Sequence, residues 1–301
     1  MAGPGSEPWS DYWRGEAMGQ AAPASLGDVD PGVRAALDAP WRELARVLPR
    51  RAALLDLATG GGIVLRMLQS LRNDLQLTGI DAAAGLPPLA GAKMIGGVDM
   101  AAMPFAAGRF DAVTSRFGIE YGVGTNAARE AARVLKPGGR LSFVVHHAQS
   151  PIVEHNRARL QALRWASSES GVLAKARALA RSRRFAALPT PPFFAQAAAQ
   201  ARSLFPAQPV AWEFLTGIAR TLDMGMGRPE GEVLGVLDTL ETRAAGETAR
   251  LDQLQTAACD EGRIALLCDA LRDGGLSVEA AAELRQPGSA RPLAWLVQGT
   301  R

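Results

Sequence analysis

Apolar residues follow two different periodicities along this 301-residue chain, and the change between them divides it. Val33, Leu37, Trp41, Leu44 and Leu48 recur at three- and four-residue steps. That spacing predicts an amphipathic helix over 33–48, bent or restarted at Pro40, where the ring removes an amide donor. From Ala52 the pattern becomes short unbroken apolar runs. AALLDLA (52–58), LQLTGID (75–81), DAVTSRF (111–117) and GRLSFVVHH (139–147) lack polar alternation, as strands covered on both faces do. Between the last two lies AAREAARVLKPGG, a helical stretch stopped by Pro137, Gly138 and Gly139. Strands joined through helices require crossovers, so an α/β fold with a parallel sheet is predicted.

After Ser150 helical spacing takes over and lasts to about residue 255, broken near LPTPPFF, FPAQP and GMGRPEG. Sheet character returns in LSVEAAAEL (276–284) and PLAWLVQGTR (292–301), behind a helix across GRIALLCDALRDGG. The predicted organisation is a flexible lead over 1–30, an α/β core over 31–150, a helical insertion over 151–255, and a last helix with two closing strands over 256–301. There is no internal repeat.

Composition narrows the class. Hydrophobic residues make up 48% of the chain, enough for a buried core. With 33 basic and 30 acidic residues the net charge is only +3, too small for a nucleic-acid footprint unless clustered. Cys259 and Cys268 stand nine apart without a CxxC, so neither a disulfide framework nor a zinc site is expected, and a reducing cytoplasm fits. The opening MAGPGSEPWSDYW lacks the basic-then-apolar order of a signal peptide. Phe185 to Ala201 carries no charge, but Pro189, Pro191 and Pro192 interrupt it and no membrane span is expected.

Candidate chemistry starts at the first strand. Ala58 is followed by Thr59, Gly60, Gly61 and Gly62 and then by an apolar helix, a βα junction where backbone amides can meet a ligand without interference from Cβ atoms. Asp81 closes the next strand, about 20 residues beyond the glycines, where open α/β sheets place a carboxylate for ribose hydroxyls. A tight structural turn accounts for the glycines as well. A dinucleotide site shares these features but calls for GxGxxG or GxGxxA, and here Leu65 stands at the last position.

Four stretches together resemble the class I S-adenosylmethionine-dependent methyltransferases, in the branch of small soluble enzymes. LLDLATGGG is similar to the family's first motif, LD-x-G-x-G-x-G, with Ala58 in place of its first glycine. Asp81 matches the ribose acid, GVDMAAMPFAAGRFDAVTS resembles D-A-x-x-L-P-F-x-D-x-x-F-D, and REAARVLKPGGRL is close to the helix and turn that follow the fourth strand. The resemblance covers residues 52–147, about a third of the chain. It implies a Rossmann-like, seven-stranded, mostly parallel sheet with a reversed last strand, a helical insertion after strand five acting as a lid, and S-adenosyl-L-methionine as cofactor.

Residue by residue, the resemblance assigns Asp56 to bracing the turn, and Ala58, Thr59, Gly60 and Gly62 to the methionine part of the cofactor. Asp81 falls to the ribose, Asp99 and Met100 to the adenine, and Ser115, at the carboxyl edge of the sheet, to the cofactor site as well. Asp56 as a carboxylate capping loop amides and Met100 as core filler are competing structural readings. Glu120, Tyr121, His146 and His147 fall at the carboxyl edge of the sheet and are the candidates for catalysis. Adjacent strand residues point to opposite faces, so at most one histidine is expected to face the site. A hydrogen-bonded structural histidine is the stronger reading of each, because methyl transfer from a sulfonium needs alignment more than a base.

From His155 to Phe185 eight Lys or Arg residues face one Glu. They are expected either to form a solvated helical face or to recognise an anionic small-molecule acceptor. Nucleic acid is disfavoured because no aromatic residues interleave with the charge. The function implied is methyl transfer to an O, N or C atom of a small molecule. The alternatives are a macromolecule-modifying methyltransferase that uses the Arg-rich insertion, and a cofactor-binding protein without catalysis.

Overall fold

The structure, a computed structural model, describes residues 7–17 and 30–301. Helix α1 (Glu7–Ala17) falls inside the segment expected as a flexible lead; the rest of that expectation lies outside the described residues apart from Asp30. Helix α2 (Pro31–Val47) is capped by Asp30, whose Oδ1 accepts from the amides of Gly32 and Val33, and it runs through Pro40 without restarting.

The sheet is built from β1 (Ala53–Leu57), β2 (Gln76–Ile80), β3 (Ala92–Ile95), β4 (Phe110–Arg116), β5 (Leu135–His146), β6 (Ser277–Val278), β7 (Ala282–Arg285) and β8 (Pro292–Thr300). Its order is β3-β2-β1-β4-β5-β8-β6, with β7 also paired to β8. The first five strands are parallel and β8 is reversed, as expected. Eight strands replace the seven foreseen, because the segment expected as one strand over 276–284 is interrupted at Glu279–Ala281 into two short pieces that both pair with β8. Strand β5 also starts earlier, at Leu135, so the KPGG segment is extended, with an irregularity against β4 between Phe110 and Ala112.

Helices α3 (Ile63–Leu71), α4 (Ala127–Val134) and, near the end of the chain, a helix over Glu261–Asp273 cover the sheet. Successive strand residues bury into opposite layers. Leu54, Ala112 and Val144 pack with Leu37, Trp41, Leu65 and Leu68 of α2 and α3. Leu55, Val113, Phe143 and Val145 pack with Ala131, Val134, Leu267 and Leu271 on the other side. A strand whose alternate residues meet two apolar layers has no position left for polar alternation, which is why the strand sequences run unbroken.

The chain divides into two compact units, one formed by the residues up to Glu154 together with Gln253–Arg301, the other by His155–Asp252. The second is helical and contains most of α5 (Pro151–Arg164), a π turn at Trp165–Glu169, α6 (Val172–Ser182), α7 (Phe193–Leu204), α8 (Pro209–Met224) and most of α9 (Glu230–Ala257). The helix over Glu261–Asp273 is then α10. Both crossings between units occur inside helices, α5 and α9. Ala162, Leu173, Ala176, Ala197, Leu215, Ile218 and Leu237 build a core of the helical unit's own. No described helix is long and apolar enough to cross a membrane.

Candidate functional site

The turn after β1 is held in an unusual backbone conformation. Ala58, Gly60 and Gly62 have φ of 50°, 48° and 77°. Glycine adopts the left-handed region without cost, whereas Ala pays about 1–2 kcal/mol there. Space for the Ala58 methyl comes from Gly118, where a Cβ would fall 2.4 Å from that of Ala58. The turn is closed by Gly62 N donating to Thr59 O at 2.7 Å and anchored to β2 by Thr59 N donating to Ile80 O at 2.9 Å.

Asp81 clasps the turn. Its Oδ2 accepts from Gly60 N at 2.9 Å and its Oδ1 from Ala83 N at 2.9 Å, so one carboxylate ties the ends of β1 and β2 together. Each oxygen keeps further acceptor capacity. Asp56, buried in β1, accepts from Thr114 Oγ1 at 2.8 Å. Burial pushes its carboxyl up to about 7, the Thr114 hydrogen bond and Arg116 acting the other way. Burial also raises Asp81, against the pull of the Ala83 and Gly60 amides. Two buried carboxylates beside one turn, both raised by desolvation, suit a cationic ligand, whose charge would stabilise their ionised forms.

The other cofactor candidates are spread around this turn. Asp99 is exposed, its Oδ1 accepting from Ala101 N at 2.8 Å, and Met100 is half-buried, with its sulfur near Gly122. Ser115 is fully buried; its hydroxyl donates to Leu57 O at 3.0 Å and accepts from Ile119 N at 3.0 Å. It therefore splices β1 to the turn after β4 and acts on the site through the backbone.

Glu120 and His146, 26 residues apart, meet. Glu120 lies in a 3-10 turn (Ile119–Gly122), and its Oε1 accepts from both the backbone amide of His146 at 3.1 Å and the ring Nδ1 at 2.6 Å. A carboxylate partner places a proton on Nδ1 and leaves Nε2 as the ring nitrogen not engaged by Glu120. Phe117, itself at φ 58°, stacks on the imidazole with centroids 4.1 Å apart, and Arg263 donates to the Glu120 carbonyl at 3.1 Å. Phe117 follows β4 and falls with Glu120 at the edge of the sheet expected to border the acceptor, whereas no motif points to Arg263.

His147 is separated from that pair. It stacks on Trp295 with centroids 4.5 Å apart, takes a hydrogen bond from Gln149 N at Nδ1, and has Nε2 3.6 Å from Glu283. Burial lowers its pKa, opposed by Glu283. It borders a cavity of about 390 Å³ shared with Asp260, Glu261 and Trp295. Only His146 joins Glu120, in line with the opposite-face expectation. Tyr121 meets the edge of Trp9 at 5.6 Å.

The family-like motifs explain themselves as braces. Asp111 accepts from Ala53 N at 2.8 Å and pairs with Lys136 Nζ at 2.8 Å, joining the start of β1 to the KPGG segment. Glu130 pairs with Arg133 and accepts from Met103 N at 2.8 Å. Phe110 is buried edge-on to Phe105. The Arg-rich stretch does not gather into one anion site. Arg159 pairs with Glu247 at 2.9 Å, Arg164 with Asp252 at 2.6 Å, Arg177 with Asp238 and Glu241, and Arg183 donates to the carbonyls of Leu188 and Leu222. These four guanidiniums are engaged within the helical unit. Both cysteines are buried free thiols, and burial pushes Cys259 up to about 12.

Residues 55–143 match the family model of a methyltransferase domain. The matched segment holds the glycine turn, Asp81 and strands β1, β2, β3 and β4, and the reversed β8 follows outside it. Among curated proteins it is 34% identical over 115 residues to a demethylmenaquinone methyltransferase of Thermotoga maritima, covering 35% of this chain and 49% of that one. A demethylmenaquinone methyltransferase of Thermus thermophilus is 36% identical over 116 residues, covering 35% of this chain and 53% of that one. The chain spans about half the length of the curated relatives it matches. A solved S-adenosylmethionine dependent methyltransferase from Mesorhizobium loti aligns over 89% of this chain and 100% of its own, at 17% identity and a TM-score of 0.43.

Proposed function

We propose that the protein binds S-adenosylmethionine on the turn after β1 and transfers its methyl group to a small-molecule acceptor. The observation that carries this reading is the left-handed turn clasped by Asp81, beside a second buried carboxylate whose pKa is raised. The cofactor supplies an electrophilic methyl group on a sulfonium and leaves as a neutral thioether. Gly60 and Gly62 give the backbone close approach, Asp81 accepts from ribose hydroxyls, and Asp99 and Met100 flank the adenine. His146, held by Glu120 through Nδ1, is the group proposed to take the acceptor's proton as the new bond to carbon forms. The helical unit is proposed to select the acceptor. The pairing of Arg159, Arg164 and Arg177 within it weakens the macromolecular alternative, which needs an open basic surface.

Calorimetry with S-adenosylmethionine tests the reading. Wild-type protein should bind, and Asp81→Ala should weaken binding by about 2–4 kcal/mol, given about 1.5–3 kcal/mol for each hydrogen bond to a charged group with incomplete additivity. No binding by wild-type protein would refute the assignment; equal affinity in the mutant would remove Asp81 from it.

A further inference from the structure

We propose that helix α1 is the cover of the cofactor site and that Trp13 touches the bound cofactor. The inference rests on the cofactor reading above and adds an element outside the family match, which begins at residue 55.

Three attachments place α1. The Trp13 indole lies on Gly60, so close that a Cβ there would fall 2.2 Å from the ring. Ser10 Oγ accepts from Ala84 N at 3.1 Å, just beyond Asp81. Trp9 meets Tyr121 edge-on at 5.6 Å and donates from Nε1 to Gln253 Oε1 at 2.7 Å. The helix thus crosses the loops that follow β2, β1 and β4, the three strand ends that carry Asp81, the glycine turn, and Glu120 with Tyr121. Trp9, Tyr12 and Trp13 pack against one another, Tyr12 and Trp13 edge-on at 4.8 Å and Trp9 and Trp13 stacked at 6.4 Å, so the face laid on the site is aromatic. All three residues are half-buried. A helix held by such shallow contacts opens at low cost, as a cover must. Aromatic faces also attract cations, which suits a sulfonium ligand and the two raised carboxylates beneath.

The test compares wild-type protein with Trp13→Ala and Trp13→Phe, measuring affinity and release rate for S-adenosylmethionine together with thermal unfolding. Trp13→Ala should lose affinity by about tenfold through faster release, Trp13→Phe should retain most of it, and the unfolding midpoint should change little. Hydrogen exchange on the wild-type chain supplies a second readout: the amides of α1 should slow when the cofactor is added. Unchanged or tighter binding by Trp13→Ala, or exchange in α1 that ignores the cofactor, overturns the cover while leaving the cofactor reading standing. Failure of wild-type protein to bind the cofactor overturns both.

Discussion

Asp56 shows how one buried residue sets a property of the whole chain. Its carboxyl, raised to about 7 by desolvation, compares with about 3.9 in an unfolded chain. Between those values the folded state holds a proton that the unfolded state has released. Stability therefore falls as pH rises from about 4 to about 7 and is level above, by up to about 4 kcal/mol at 1.36 kcal/mol per unit. Asp56→Asn keeps an acceptor for Thr114 and removes the titration, so this contribution should vanish and the variant should be the more stable protein above pH 7. Denaturant unfolding across pH 4–8 reads the effect; an identical slope in the variant would rule Asp56 out as its source.

At the level of elements, the turn after β1 and the loop after β4 are shaped to each other. Ala58 is strained where glycine is not, and Gly118 leaves room for its methyl. Ala58→Gly should stabilise the fold by about 0.5–1 kcal/mol, the relief of about 1–2 kcal/mol less the chain entropy glycine costs. Gly118→Ala should destabilise it by about 1–3 kcal/mol through overpacking, and most of that loss should disappear when Ala58 is already glycine. Unfolding free energies of the four chains form a double-mutant cycle; additivity within about 0.5 kcal/mol would show that the two positions do not touch.

Long elements covered on two faces were legible in the sequence, because β1, β2, β4 and β5 each bury a continuous apolar run. Strand β3 was not, since AKMI is half exposed at the sheet edge and lacks that run. Helix α1 was hidden by the Gly, Pro and Ser around it and stands on contacts with distant residues such as Gly60 and Gln253. Of the site, the glycine turn and Asp81 were readable from spacing. The union of Glu120 with His146 was not, because it is made by two elements meeting at the end of the sheet. The pairing of Arg159, Arg164 and Arg177 with carboxylates was hidden because their partners lie on helices distant in sequence.

For the whole molecule, the position of β8 sets an order of events. It pairs with β5 along Arg140–His146 and fills the place between β5 and β6. During synthesis β5 emerges with 145 residues still to come between His146 and Pro292. At about 5–20 residues per second the edge of β5 stays open for about 7–30 s, while the helical unit is made and can collapse on its own core. An open apolar strand edge is a template for other chains. A chain ending at residue 290 should therefore aggregate where the full chain remains in solution, as a sedimentation assay would show; equal solubility would mean that β5 is shielded by something other than β8. The reversed strand is thus a matter of timing as well as topology: for those seconds the nascent protein must be kept from its neighbours by dilution, by the ribosome or by a chaperone.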